Sequence, residues 1–125
     1  MKFLRFSFSL LALAVVLGAF GAHTLEKYVD AQHLHTWHTG VEYHFYHALG
    51  LLLLSAIADK NFILPKRMQL AQIFLALGIL MFSGSLYLLA VRPEWSWLGP
   101  VTPLGGLCFI TGWILAALSV KRINV

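Results

Sequence analysis

Four long apolar runs alternate with short polar segments along the chain. The first, residues 3–22, is broken only by Arg5 near its start. The second, residues 43–58, reaches spanning length only if its helix starts nearer Trp37. The third and fourth, residues 68–91 and 98–120, carry no charge. Crossing a hydrocarbon core of about 30 Å takes about 20 mostly apolar residues. The pattern therefore predicts four transmembrane helices over about 3–22, 38–58, 68–91 and 102–120 in one membrane domain, residues 1–125. Boundary residues sharpen two ends. Thr102-Pro103 reads as an N-cap followed by proline at the first helical position. Pro65 ends or bends the loop before the third helix.

Composition turns this pattern into a class. Hydrophobic residues make up 59% of the chain and charged residues 11%, against about 25% charged in ordinary soluble domains. A soluble domain of this length could not hide so much apolar surface, and disorder needs the opposite composition. The expected fold is an all-α, integral membrane four-helix bundle.

The net charge of +4 would point to nucleic acid in a soluble protein. Here the basic residues lie between apolar runs, where they orient the chain. Lys2, Arg5, Lys60, Lys66, Arg67, Lys121 and Arg122 fall on one side of a four-span arrangement, and only Lys27 and Arg92 on the other. That bias predicts cytoplasmic N- and C-termini. The expected partner is the lipid bilayer, not nucleic acid. Tyr28, Trp37, Trp95 and Trp97 fall at the outer ends of spans, where an aromatic belt belongs, while mid-span Trp113 reads as packing. A cleaved signal peptide is the alternative for the first run, with Lys2 and Arg5 ahead of an apolar stretch and small residues at 18–22. The length of the stretch and its glycine spacing favour an uncleaved span. The single cysteine, Cys108, offers no intrachain disulfide and reads as a small core residue.

Small residues recur at helix-packing spacing: Ala14, Gly18 and Ala22 in the first helix, Gly78 and Gly84 in the third, Gly105, Gly106, Cys108, Gly112 and Ala116 in the fourth. In a bilayer, helices associate by close backbone approach and a few polar contacts. These stripes fit intrachain packing first and a homo-oligomer interface second.

Polarity at membrane depth is the unusual feature, because ionisable groups there suggest function. All six histidines, His23, His33, His35, His38, His44 and His47, lie in the outer half. Glu42 stands at the mouth of the second helix, and Ser83, Ser85 and Tyr87 lie on the third. At about 100° per residue, His35, His38, Glu42 and Tyr46 share one face, and Tyr43, His47 and Gly50 another. His44 lies roughly 60° from His47. That geometry opposes a single large metal cluster, although His23 with His47 remains a candidate pair for a metal or redox cofactor. No HExxH or GxSxG motif is present. The leading expectation is therefore no metal, no cofactor and no catalytic residue. Inner-half polarity is thin, mainly Ser55, Gln69 and Gln72, which disfavours a transport path through one protomer.

Several segments together resemble a known family. Leu17-Gly18-Ala19-Phe20-Gly21-Ala22-His23, Glu42-Tyr43 with Phe45-Tyr46-His47-Ala48-Leu49, Phe82-Ser83-Gly84-Ser85-Leu86-Tyr87, and Thr102-Pro103-Leu104-Gly105-Gly106 with Gly112-Trp113 resemble the bacterial family called domain of unknown function 423. Its eukaryotic relatives are called transmembrane protein 256. The resemblance covers nearly the whole chain. It implies a small four-span inner-membrane protein without an established activity. Carried over by motif, the positions it marks are His23, Tyr43, His47, Ser83, Ser85, Tyr87, Thr102 and Gly105. Position 44, commonly glutamine in the family, is His44 here, which implies a hydrogen-bonding side chain rather than a metal ligand. His33, His35 and His38 match no motif of the family. The functional expectation is a non-enzymatic membrane protein whose outer-half polar patch (His23, Glu42, Tyr43, His44, His47, Ser83, Ser85, Tyr87) packs the bundle or binds a small ligand or lipid. The alternatives are a cofactor protein and a small oligomeric transporter or channel.

Overall fold

The computed structural model describes residues 2–122. Four helical rods account for most of them: α1, Lys2–His23; α2, Ala31–Ile57; α3, Pro65–Val91; and α4, Val101–Ser119. Short 3₁₀ turns at Leu25–Lys27 and Ser96–Leu98 join α1 to α2 and α3 to α4. Among the described residues, α1, α3 and α4 are long and apolar enough to cross a membrane, α1 and α4 together with the adjoining turns. The 27-residue α2 is comparable in length. Its first half, however, carries Gln32, Thr36, Thr39, Glu42 and four of the histidines.

Local chemistry explains the boundaries. Asp30 caps α2, accepting from the His33 backbone N–H at 2.9 Å and facing the His33 ring at 2.7 Å. The helix therefore starts at Ala31 and absorbs His33 and His35, which the expected span of 38–58 leaves outside it. Pro65 is the first residue of α3, where its missing N–H costs nothing. The expected cap at Thr102 is not formed. Helix α4 begins at Val101, one residue earlier, and the Thr102 hydroxyl bonds to Ser85 instead. Within α3, residues Ile79–Ser83 form one π-helical turn, an inserted-register feature that periodicity does not reveal.

The seven cations gather at one end of the bundle. Leu64 N–H donates to the Ser119 carbonyl at 2.7 Å, and Lys121 N–H to Phe62 at 2.8 Å. Arg67 Nη1 reaches the Leu118 carbonyl at 2.8 Å. Phe3 of α1 borders the same depression as Ser55, Asp59 and Pro65. At the opposite end Leu25 and Ala90 pack with Trp37, which places Lys27 and Arg92 there. Large apolar side chains such as Val15, Leu53, Leu80 and Leu107 face outward, as lipid contact allows.

The core joins α2, α3 and α4. Ala48, Leu54, Met68, Ala71, Leu75, Ile79, Phe109 and Ala116 form it. At three glycines of the α3–α4 contact the helices meet so closely that a side chain does not fit. A Cβ at Gly105 would stand 2.4 Å from the Phe82 backbone nitrogen, beside the π-turn. One at Gly78 would stand 2.4 Å from the Phe109 ring, and one at Gly112 2.8 Å from Leu75. Helix α1 packs chiefly on α2.

Candidate functional site

The polar residues expected in the outer half separate into two groups on different sides of α2. The first centres on His44, which is 2% exposed. Its Nδ1 lies 2.8 Å from the Tyr87 hydroxyl on α3. The Tyr87 ring stacks at 4.8 Å on Trp37, and Trp37 Nε1–H donates to the Leu17 carbonyl of α1 at 2.9 Å. Glycines make this layer possible. A Cβ at Gly40 would come within 3.0 Å of the Tyr87 ring, and one at Gly21 within 2.6 Å of Trp37. Trp37 is thus an interior residue, not a member of the aromatic belt. Tyr28 and Trp97, at 80% and 67% exposure, lie on the surface.

Hydrogen-bond counting fixes the tautomer of His44. If Nδ1 donated to Tyr87, both the tyrosine proton and Nε2 would lack partners. If Tyr87 donates to Nδ1, only one group is left over, the Nε2–H donor. That nitrogen is buried and makes no hydrogen bond. The Leu10 backbone of α1 faces the ring, but not in bonding geometry. A buried donor without an acceptor costs about 1–3 kcal/mol.

Beside this pair, α1 and α3 stand apart. The gap is a slot of about 380 Å³ lined by Phe6, Leu10, Leu13, Leu17, Ala76, Leu77, Ile79, Leu80, Gly84, His44 and Tyr87. Its walls are apolar except where the last two contribute. A Cβ at Gly84 would meet nothing within 4 Å, so this glycine borders the slot rather than a helix contact.

The second group faces α4. His47 Nδ1–H donates to the Tyr43 carbonyl one turn back at 2.7 Å. Its ring lies flat on Phe109, 3.5 Å between centroids and 13° between planes. Tyr43 lies beside this pair, its ring 5.9 Å from His47 and 6.4 Å from Phe109. Trp113 covers Gly50 and approaches His47 at 6.0 Å. Phe109 carried no polar signal in the sequence, yet it is the closest ring to His47. Ser85 bonds to Thr102 at 2.6 Å and to the Phe82 carbonyl at 2.9 Å, joining α3 to α4. Ser83, fully buried, leaves its hydroxyl without a partner. Toward the cation end, Gln72 donates to Ser55 at 3.1 Å.

The remaining candidates lie apart from these groups. His23 ends α1 exposed, and Glu42 is exposed beside the groove formed by Ala14, Gly18, Ala22 and Tyr46. The structure does not bring His23 to the stacked His47. Among the described residues, no three His, Cys, Asp or Glu side chains cluster as a metal site. Of the proposed packing positions, Gly18 makes an ordinary 3.4 Å approach to Val41 and Gly106 a loose one to Phe82 at 3.9 Å. Ala22 is exposed.

Residues 17–106 match the family described as "Protein of unknown function (DUF423)". The chain is 49% identical over 110 residues to the UPF0382 membrane protein YwdK of Bacillus subtilis, covering 88% of each chain. It is 39% identical over 110 residues to the UPF0382 inner membrane protein YgdD of Escherichia coli K12, covering 88% of this chain and 82% of that one. No solved structure matches.

Proposed function

The chain belongs to the DUF423 family of membrane proteins of unknown function, and from that premise we propose a non-enzymatic, multi-pass protein of the bacterial inner membrane. All four helices cross the bilayer in this reading, with both termini cytoplasmic. The outer-half polar patch ties the spans together. The observation that carries the reading is the pairing of polar groups between helices at depth, His44 with Tyr87 and Ser85 with Thr102. Buried polar side chains satisfied across helices are how membrane bundles gain specific contacts beyond lipid-like packing.

Two further facts support the topology. Helices α1 and α3 both start at the cation end, so α2, which connects them, runs back through the same thickness. The gathering of seven cations at one end fits the positive-inside bias if that end is cytoplasmic. Single cysteines in a Cys108→Ala background test this. A membrane-impermeant maleimide should label Tyr28→Cys from the periplasmic side and Lys60→Cys only after the membrane is opened. Labelling of both from one side would remove α2 as a span.

A further inference from the structure

We propose that the polar notch at the cation end, where α1, α2 and α3 meet, binds the primary-amine head of a phosphatidylethanolamine, with Asp59 and Gln72 holding the ammonium group. Such a site rests on the membrane placement above, and it needs neither end of the bundle to be assigned to a particular side.

The notch has a volume of about 330 Å³. Ser55, Asp59, Gln69 and Gln72 form its polar wall, opposite Phe3 and Met68. Gln72 is 5% exposed, and hydrogen-bond counting orients its amide. Ser55 donates its single proton to the Leu51 carbonyl at 2.6 Å, so toward Gln72 it only accepts. The 3.1 Å contact is therefore made by the Gln72 amide nitrogen, Nε2. The carbonyl oxygen Oε1 is left over, and among the described residues it accepts no hydrogen bond. It is not sealed in as His44 Nε2 and Ser83 Oγ are, so it opens on the notch that Gln72 lines. Asp59 stands exposed in the same wall. It is the one acidic residue at an end rich in cations, yet among the described residues it forms no ion pair.

Two acceptors without donors require a ligand that donates. A primary ammonium group offers three N–H donors, and its charge complements the carboxylate. A quaternary ammonium has no N–H to give, and an anionic head without an amine meets Asp59 with the wrong sign. The rest of the head follows from the surroundings. Lys60 and Lys121 line an adjoining depression that shares Ala58, Asp59 and Pro65 with the notch. A phosphate joined to the amine by a short linker therefore lies toward positive charge. One turn beyond Phe3 and Gln72, at Phe6 and Ala76, the apolar gap between α1 and α3 begins. Hydrocarbon attached to the head extends that way, which selects a lipid over a soluble amine.

The test is native mass spectrometry of the full chain released from nanodiscs. The discs contain equal parts of phosphatidylethanolamine, phosphatidylcholine and phosphatidylglycerol with identical acyl chains. Wild-type protein should retain phosphatidylethanolamine about tenfold over phosphatidylcholine, the scale of one charge-assisted hydrogen bond. Asp59→Asn should remove most of that preference while retention of phosphatidylcholine stays the same, and Asp59→Glu should restore part of it. Gln72→Leu should weaken the preference with Asp59 in place. Should that buried substitution not fold by circular dichroism, the exposed Asp59→Asn still decides the matter. Excess glycerophosphoethanolamine, which has the head without the tails, should leave the lipid adduct in place. Equal retention of the amine and choline lipids by wild type overturns the proposal, as does an undiminished preference in folded Asp59→Asn or the absence of any adduct. Preference for phosphatidylglycerol also overturns it, since that end would then be a general anion surface. Displacement by the soluble head overturns the lipid as occupant. Maleimide labelling of Tyr28→Cys and Lys60→Cys is read separately, so a wrong topology and a wrong ligand give different results.

Discussion

The seam between α3 and α4 and the gap between α1 and α3 are built from the same small residues to opposite ends. At the seam, glycine is required by contact: Gly78, Gly105 and Gly112 each admit a neighbour into the space of a side chain. At the gap, Gly84 faces no neighbour, and α1 leans on α2 instead of closing over α3. Without a hydrophobic force between helices in lipid, close backbone approach is the main source of packing energy. The seam therefore closes α4 on α3, whereas α1 docks on α2 and leaves its side toward α3 open. A small residue in a membrane helix has two opposite meanings, and only its neighbours tell them apart.

The largest expected effect comes from filling the seam. Gly105→Ala puts a methyl group 2.4 Å from the Phe82 backbone nitrogen. Backbone cannot rotate aside as a side chain can, so α4 must move away. The cost should reach the upper part of the 1–3 kcal/mol range for overpacking, about 3 kcal/mol. Thermal unfolding in detergent should register it as a large drop in midpoint. Gly84→Ala, by contrast, should be neutral or stabilising by up to about 1 kcal/mol, because a helical glycine is replaced without a clash. Equal destabilisation by both substitutions would erase the distinction between the two regions.

The polar stitch across the seam should count for less than the steric fit. Thr102→Val keeps the shape and removes the 2.6 Å bond to Ser85. Ser85 still donates to the Phe82 carbonyl, so no buried donor is stranded. The loss should be about 0.6 kcal/mol, the average for interhelical hydrogen bonds in membrane bundles. The same melting experiment measures it, and a loss as large as that of Gly105→Ala would make the seam a polar rather than a steric device.

The long apolar runs made the rods legible in the sequence, since lipid contact demands little more than length and hydropathy. The small-residue stripes marked Gly105 and Gly112 as close contacts for the same reason. What periodicity did not reveal depends on partners distant in sequence. The π-turn at Ile79–Ser83 sits where α4 crosses α3 most closely. Trp37 resembled an interfacial residue because nothing local shows that Gly21 and Gly40 clear room for it. His44 and His47, three residues apart, were hard to separate on a helical wheel. The separation comes from Tyr87 on one side and Phe109 on the other. Asp30 was a missed local signal: an aspartate directly ahead of a helix is a common cap, but the expected span began only at residue 38.

That cap gives the smallest predicted effect and tests whether the start of α2 responds to pH independently of the seam. Asp30 accepts from the His33 backbone N–H and faces the His33 ring. These contacts, the backbone bond foremost, hold its carboxyl below the usual value of 3.8. A carboxyl whose value is lowered by folding stabilises the fold above its unfolded value. That contribution is lost as pH falls through the lower folded value. The first turn of α2 should therefore stay ordered at neutral pH and fray only under strong acid. Amide exchange at His33 should rise there, after correction for intrinsic rates. Asp30→Asn keeps a capping oxygen but cannot titrate, so its exchange should lose the acid dependence while protection at neutral pH persists. The seam glycines, far from any titratable group of this kind, should show no parallel change. Fraying that spread into α3 and α4 at the same pH would mean that the two regions unfold as one unit.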